Sequence, residues 1–266
     1  MLPGKQALLK ITTWNVNGLR AAIRKGFADK LLEINPDVLL LQEIRVLPEQ
    51  LDPEWQNPEG WHVVWHPAQK KGYAGTSIWS KDPIESVFTG VTAADSDDEG
   101  RLLTVQVNGL KISSVYLPSG TSGEARQAVK DDWLKKFRRW ATAQKKTGPM
   151  VVGGDLNIAH DERDIFHSKS NTKTSGFLPH EREWFGSLLT SGWSDLVREF
   201  AGDVEGPYSW WSNRGQAREL DRGWRIDYLL CNEQLRDRVT GFDINREAGL
   251  AISDHAPVSI DISDVD

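Results

Sequence analysis

Cysteine is nearly missing from the chain. The single copy, Cys231, lies in the apolar run IDYLLC, which leaves no partner for an intrachain disulfide and no cysteine-based zinc site. A reducing compartment fits that usage best, and a cytoplasmic location is expected. Long apolar runs are missing too. No window approaches the ~20 residues of a membrane span, and the N-terminus MLPGKQALLK has neither the apolar core nor the small-residue cleavage pattern of a signal peptide. A basic excess is the third absence. With 32 Lys and Arg against 38 Asp and Glu, the net charge is −6, which excludes a globally basic nucleic-acid-binding protein but leaves room for a local basic face. There is also no GxxxxGKS/T loop, no GxGxxG after a strand and no GxSxG turn, so the common phosphate-loop, dinucleotide and serine-hydrolase motifs are excluded.

What is present is a chain of 266 residues with 39% hydrophobic side chains and 12 tryptophans. One domain over residues 1–266 is expected, with residues 1–9 as a short N-terminal extension. Some of the indoles should line surfaces or pockets, because a fully buried indole must still find a partner for its N–H. Apolar β-like runs recur at 8–16, 37–43, 61–67, 76–80, 101–107, 111–118, 150–155, 225–231 and 256–262. Asn108-Gly109 between two of them signals a tight hairpin. Helices are predicted over 124–146, where Val129, Trp133, Phe137 and Trp140 fall near one face with Lys and Arg on the other, and over 179–190, with Pro179 at the first helical position and Trp184, Phe185, Leu188 and Leu189 as the apolar stripe. This pattern predicts an α/β fold of two packed mixed sheets with helices outside. The acidic stretch DSDDEG (95–100) is expected to be a solvated loop.

Several runs end in polar residues that a strand does not need: Asn15 and Asn17, Gln42 and Glu43, Tyr116, Asp155 and Asn157, with Asp254-His255 just before the last run. Singly, each has a structural reading as a turn, a cap, a solvated strand end or a surface pair. If the strands lie side by side, however, their ends make one polar rim, the place where α/β folds put sites. Carboxylates, amides and one histidine without cysteine suit Mg²⁺ or Mn²⁺. The same set has the parts for phosphodiester hydrolysis: an activated water, charge neutralisation and help for the leaving oxygen.

The motifs TWNVNGLRA (13–21), LLLQEIR (39–45), GYAG (72–75), VYLPSG (115–120), GGDLNIAH (153–160), SGFLPHER (175–182), GWRIDY (223–228) and SDHAP (253–257) occur in this order. From about Lys10 to about Ile262 the chain therefore resembles the exonuclease III type of apurinic/apyrimidinic endonucleases, within the endonuclease/exonuclease/phosphatase superfamily that includes DNase I. The resemblance implies a four-layer α/β sandwich and a Mg²⁺-dependent cut (Mn²⁺ substituting) on the 5′ side of abasic sites in duplex DNA. That cut leaves a 3′-hydroxyl and is often accompanied by 3′-to-5′ exonuclease and 3′-end-cleaning activity in base-excision repair. It implies Glu43 as the main metal carboxylate, Asn17 and Asp254 near the metal, and Asn15 in the hydrogen-bond network. Asp155 would align or deprotonate the attacking water, with Asn157 supporting the transition state; both approach the metal. His255 would contact the phosphate at the metal site, oriented by Asp227, and Tyr116 would contact the phosphate or assist the leaving group.

The resemblance also implies an abasic pocket of Trp210, Trp224 and Ile226. Backbone grip would come from Arg45, Lys71, Tyr73, Arg101, Lys169 and Asn171. The expected partner is double-stranded DNA with abasic or damaged 3′ ends, handled by a monomer. Departures from the family pattern at Ser119 and at Phe166, His167, Ser170 and Thr174 bear on the balance of activities. They keep open the alternative of a paralogue specialised as a 3′-phosphatase or exonuclease. A bulky His167 near the pocket would restrict entry.

Overall fold

The computed structural model describes residues 8–92 and 97–263. Most of the expected N-terminal extension falls outside them, and Leu8 already opens the first strand. One six-stranded sheet contains β1 (Leu8–Asn15), β2 (Val38–Gln42), β3 (His62–His66), β4 (Thr76–Ser80), β11 (Val239–Ile244) and β12 (Val258–Ser263), in the order β11-β12-β1-β2-β4-β3. The other contains β5 (Ser86–Thr89), β6 (Leu102–Val107), β7 (Leu110–Tyr116), β8 (Met150–Asp155), β9 (Trp193–Asp195) and β10 (Asp227–Asn232), in the order β5-β6-β7-β8-β10-β9. Helices α1 (Leu19–Arg24), α2 (Phe27–Ile34), α3 (Pro53–Gln56), α4 (Glu124–Gln144), α5 (Pro179–Thr190), α6 (Leu196–Ala201), α7 (Glu233–Arg236) and α8 (Arg246–Ile252) complete the chain.

Strand periodicity explains the layers. Along β2, Val38 and Leu40 join the core between the sheets with Ile11, Ile78, Ile112, Val151 and Leu229, while Leu39 and Leu41 point the other way to Phe27, Leu31 and Ile34 of α2. Both faces are covered, so all five β2 residues are buried and the first four read as an unbroken apolar run. On the far side, Val152 and Leu230 pack on Leu134 and Phe137 of α4 and on Phe185 and Leu188 of α5. The result is the four-layer α/β sandwich that the family resemblance implies, built on the two packed mixed sheets that the strand pattern predicts. Asn108 (φ 48°) and Gly109 (φ 73°) make the predicted hairpin turn between β6 and β7.

Three local expectations are corrected. Val129 is 45% exposed, because the buried stripe of α4 is phased through Lys130, Leu134, Phe137 and Ala141, so a lysine lies on the inner face. Of the acidic loop, residues 95–96 lie outside the described residues, and 97–100 are not simply solvated: Asp97 accepts from the Arg101 and Leu102 amides, and Glu99 binds Arg101 and Arg126. Strands β5, β9 and β11 have no counterpart in the predicted runs. β9 has only three residues, and β5 is an edge strand exposed over most of its length.

The fold also places the strand ends. β1 runs parallel to β2, and β7 parallel to β8, so all four finish at one end of the sandwich. β10 is antiparallel to β8, and β12 to β1, so their first residues lie at that same end.

Candidate active site

Asp155 is the last residue of β8 and pairs with Tyr116 on one side and Asp227 on the other. The strand reaches this position through two glycines. A Cβ on Gly154 (φ 152°) would lie 1.9 Å from the Val115 carbonyl oxygen, and one on Gly153 would meet Leu40 and Leu229 at 2.6 and 2.7 Å. Within two residues of the ends of three strands, Asn17 (φ 48°), Glu43 (φ 49°) and Asn157 (φ 50°) adopt the left-handed region, an uncommon and costly conformation for side-chain-bearing residues that clusters at functional sites. Each turn directs a polar group into a cavity of about 280 Å³ at this end of the sandwich.

Hydrogen bonds join these ends into one network. Asn15 Nδ2 donates to Glu43 Oε1 at 3.0 Å and to Asp155 Oδ2 at 2.9 Å, bridging the two sheets. The Asn157 amide N–H donates to Asp155 Oδ1 at 2.8 Å, and its Nδ2 donates to the Leu117 carbonyl at 2.9 Å. Asn17 Nδ2 and Trp210 Nε1 donate to the two oxygens of Asp254 at 2.8 and 3.1 Å. His255 Nδ1 lies 2.9 Å from Asp227 Oδ2, and its Nε2 lies 3.9 Å from Asp155 Oδ2. Arg45 forms an ion pair with Glu43.

The charges follow from this packing. Burial pushes Asp155 up to about 7; His255 opposes that shift, and the Asp227 and Glu43 carboxylates add to it. For His255 burial works downward, but the charge and hydrogen bond of Asp227 prevail and hold the imidazole at about 10. Burial, together with Glu43 and Asp155, raises the Tyr116 phenol well above its ordinary value, so it remains a proton donor. Burial of Asp254 is outweighed by His255 and by the Trp210 and Asn17 hydrogen bonds, which lower its carboxyl.

Glu43, Asp155 and His255 bring one ligand atom each within 4.8 Å of one another. Two carboxylates beside amide oxygens form a hard donor set that fits a divalent cation. A cationic imidazole offers no lone pair, and so His255 is set to meet an anion as long as Asp227 holds its proton.

The three residues expected to form an abasic pocket share one apolar cluster with Ile165 and Phe177, and all three line the cavity. Trp210 and Trp224 meet edge to face at 6.1 Å. Other indoles are structural: Trp14, Trp79 and Trp211 are buried, with their N–H groups bonded to the His255 carbonyl, Ser77 and Asp221. Of the expected backbone-gripping residues, Lys71 and Lys169 are exposed, while Arg45, Tyr73 and Asn171 are partly so. Arg101 is a correction. It is 2% exposed, with its guanidinium bonded to Glu99, the Tyr116 carbonyl and Tyr73 and lying 4.6 Å from the Tyr116 ring. It braces Tyr116 from behind and cannot reach a DNA backbone. Ser119 and Thr174 line the cavity, whereas Phe166, His167 and Ser170 are exposed outside it.

Sequence reasoning missed Ser209. Its hydroxyl donates to Asp227 Oδ2 at 2.7 Å and accepts from the Ile226 and Asp227 amides, so it fixes the carboxylate that holds His255. A serine in PYSWW carries no local sign of that contact. Lys130 was hidden among the other cations of α4.

A model described as the endonuclease/exonuclease/phosphatase family matches residues 12–255. The chain is similar to the exodeoxyribonuclease of Bacillus subtilis (strain 168), at 37% identity over 256 residues that cover 96% of this chain and 100% of that one. It is also similar to the DNA-(apurinic or apyrimidinic site) endonuclease of Dictyostelium discoideum, at 34% over 254 residues covering 95% of this chain and 70% of that one. Among solved structures it is similar to the 3′ phosphatase NExo from Neisseria bound to a product DNA hairpin. There the TM-score is 0.87 at 28% identity, covering 96% of this chain and 99% of that one.

Proposed function

This chain belongs to the endonuclease/exonuclease/phosphatase family, and from that premise we propose that it hydrolyses duplex DNA on the 5′ side of abasic sites, leaving a 3′-hydroxyl, as a step of base-excision repair. It is a metal-dependent DNA phosphodiesterase. Mg²⁺ suits the donor set best, with Mn²⁺ able to replace it. The observation that carries the abasic reading is the single cavity in which the carboxylate and imidazole groups face an apolar wall of Trp210, Trp224 and Ile226. An abasic nucleotide has lost its stacking and swings out of the duplex at low cost, and an apolar wall then favours a sugar without a base.

Glu43 and Asp155, with Asn17, Asn157 and Asp254 nearby, are the residues that would hold the ion. When bound, it would neutralise phosphate charge and lower the pKa of a coordinated water. Asp155, whose carboxylate lines the cavity beside His255, is placed to take a proton from the attacking water. Asn157, whose side-chain amide is held by the Leu117 carbonyl and Asp155, lines the cavity and supports the transition state by fixing Asp155. His255, kept cationic by Asp227, contacts a phosphate oxygen, and the Tyr116 phenol donates to the phosphate or the leaving oxygen. Arg45, Lys71, Tyr73, Lys169 and Asn171 grip the DNA backbone. The chain, residues 1–266, acts as one domain, in a monomer.

The likeness to a neisserial 3′ phosphatase favours a second reading, specialisation for damaged or phosphorylated 3′ ends. A duplex with one internal tetrahydrofuran site is compared with a nicked duplex carrying a 3′-phosphate, each in Mg²⁺ and in EDTA. The expected result is internal incision as the faster reaction, with both stopped by EDTA. Phosphate removal without internal incision would replace the first reading by the second.

A further inference from the structure

Two fully buried charges behind the site play no part in the chemistry above. Lys130 of α4 and Glu181 of α5 are both 0% exposed, and Lys130 Nζ lies 2.6 Å from Glu181 Oε1. Taking two charges out of water costs more than their attraction returns unless further hydrogen bonds complete both groups, and a matched apolar pair often braces a fold as well or better. The partners of this pair show what an apolar pair would not supply.

Lys130 Nζ also donates to the Asn157 carbonyl oxygen at 2.9 Å. Asn157 is therefore pinned on both sides in its left-handed conformation, its carbonyl by Lys130 and its N–H by Asp155 Oδ1. Glu181 Oε2 accepts from the Gly176 and Leu178 amides at 2.7 and 3.0 Å, and Gln127 Nε2 donates to Oε1 at 3.0 Å. Gly176 lines the cavity. It packs so tightly that a Cβ there would lie 3.0 Å from the Asn157 carbonyl oxygen and 3.2 Å from Trp224.

We propose that Lys130 and Glu181 are positioning residues for hydrolysis: their ion pair holds the Asn157 peptide, and through it Asp155, in register with the cavity wall at 174–176. The inference rests on the phosphodiesterase reading of the site. A shift of about 1 Å in a reacting group is enough to cost ~10²-fold in rate.

The test takes kcat and KM on both the abasic duplex and the 3′-phosphate duplex, so that a wrong choice of preferred substrate leaves the ratios readable. Wild-type protein that cuts neither duplex, or that cuts in EDTA, would instead count against the phosphodiesterase reading. Lys130→Met is expected to lower kcat by about 30- to 100-fold with KM within about threefold, and to lower the unfolding midpoint because Glu181 is left unpaired. Lys130→Met/Glu181→Gln removes that unpaired charge and is expected to recover the midpoint while kcat stays low. Lys130→Arg, which keeps donors for both acceptors, is expected to retain most of the wild-type kcat. Recovery of kcat together with stability in the double variant would overturn the inference, as would a Lys130→Arg variant as slow as Lys130→Met at a wild-type midpoint.

Discussion

Asp155→Asn is expected to lower turnover by about 10²- to 10⁴-fold, the range of general acid–base catalysis, while the metal-free protein gains stability relative to wild type as pH rises. The two effects have one cause. Asp155 is 1% exposed, and burial first, then the Asp227 and Glu43 charges, lift it to about 7 against the pull of His255. A carboxyl whose pKa is higher in the folded than in the unfolded chain, where it is about 4, favours folding when protonated and opposes it once ionised. That opposition grows as pH rises from about 4 to 7 and is fully present at pH 8. An amide of the same shape removes the charge and cannot take a proton from water; it keeps one acceptor oxygen and turns its NH2 toward Asn15 Nδ2 or the Asn157 N–H, a cost that does not change with pH. Turnover in Mg²⁺, and thermal unfolding of variant and wild type in EDTA from pH 5 to pH 8, check the prediction. Near-normal turnover would remove Asp155 from the chemistry, and a midpoint difference that does not move in the variant's favour as pH rises would contradict its raised pKa.

Arg225→Met is expected to have the largest effect on stability. The guanidinium is fully buried and bonds both oxygens of Asp164 at 2.8 Å and both oxygens of Asp195 at 2.8 and 2.9 Å. Burial would raise Asp164, but Arg225 and then Arg198 prevail and hold it below its ordinary value. That contribution is present above the unfolded pKa of about 4 and is lost only as pH falls through the lower folded value. Removing one partner of a buried ion pair costs about 3–5 kcal/mol, or roughly 10 °C in unfolding midpoint at about 2–4 °C per kcal/mol for a domain of this size. Thermal unfolding at pH 7 is the measurement, and a midpoint within about 2 °C of wild type would contradict the account. Activity should fall too, because Arg225 lies between Trp224 and Ile226 of the cavity wall and two residues before Asp227.

The difference between what was legible in the sequence and what was not is physical. β2 and β8 could be read because both faces of each strand are covered and composition alone marks them. The rim was legible because Asn15, Glu43, Tyr116 and Asp155 are polar where strands otherwise end, and parallel pairing brings those ends together. The two glycines of GGDLNIAH read as a close approach of backbone to neighbouring strands, and the Val115 carbonyl beside Gly154 is that approach. Contacts across sheets and between helices left no local signature. Arg101 looks like any surface cation, but its guanidinium is spent on Glu99 and Tyr73. Lys130 has the same composition as the exposed lysines of α4, and only helical phase together with a glutamate on another helix turns it inward. Ser209 acquires its role from Asp227, which is 18 residues away.

The central claim is metal-dependent hydrolysis on the 5′ side of an abasic site, and product chemistry tests it most directly. A duplex with one internal abasic site is incised in Mg²⁺ and ¹⁸O-labelled water, and both fragments are weighed by mass spectrometry. The account predicts a 3′-hydroxyl on the upstream fragment and a single ¹⁸O in the 5′-phosphate of the downstream fragment, with no cleavage in EDTA. A 3′-unsaturated aldehyde, label on the upstream fragment, or cutting that survives EDTA would contradict it.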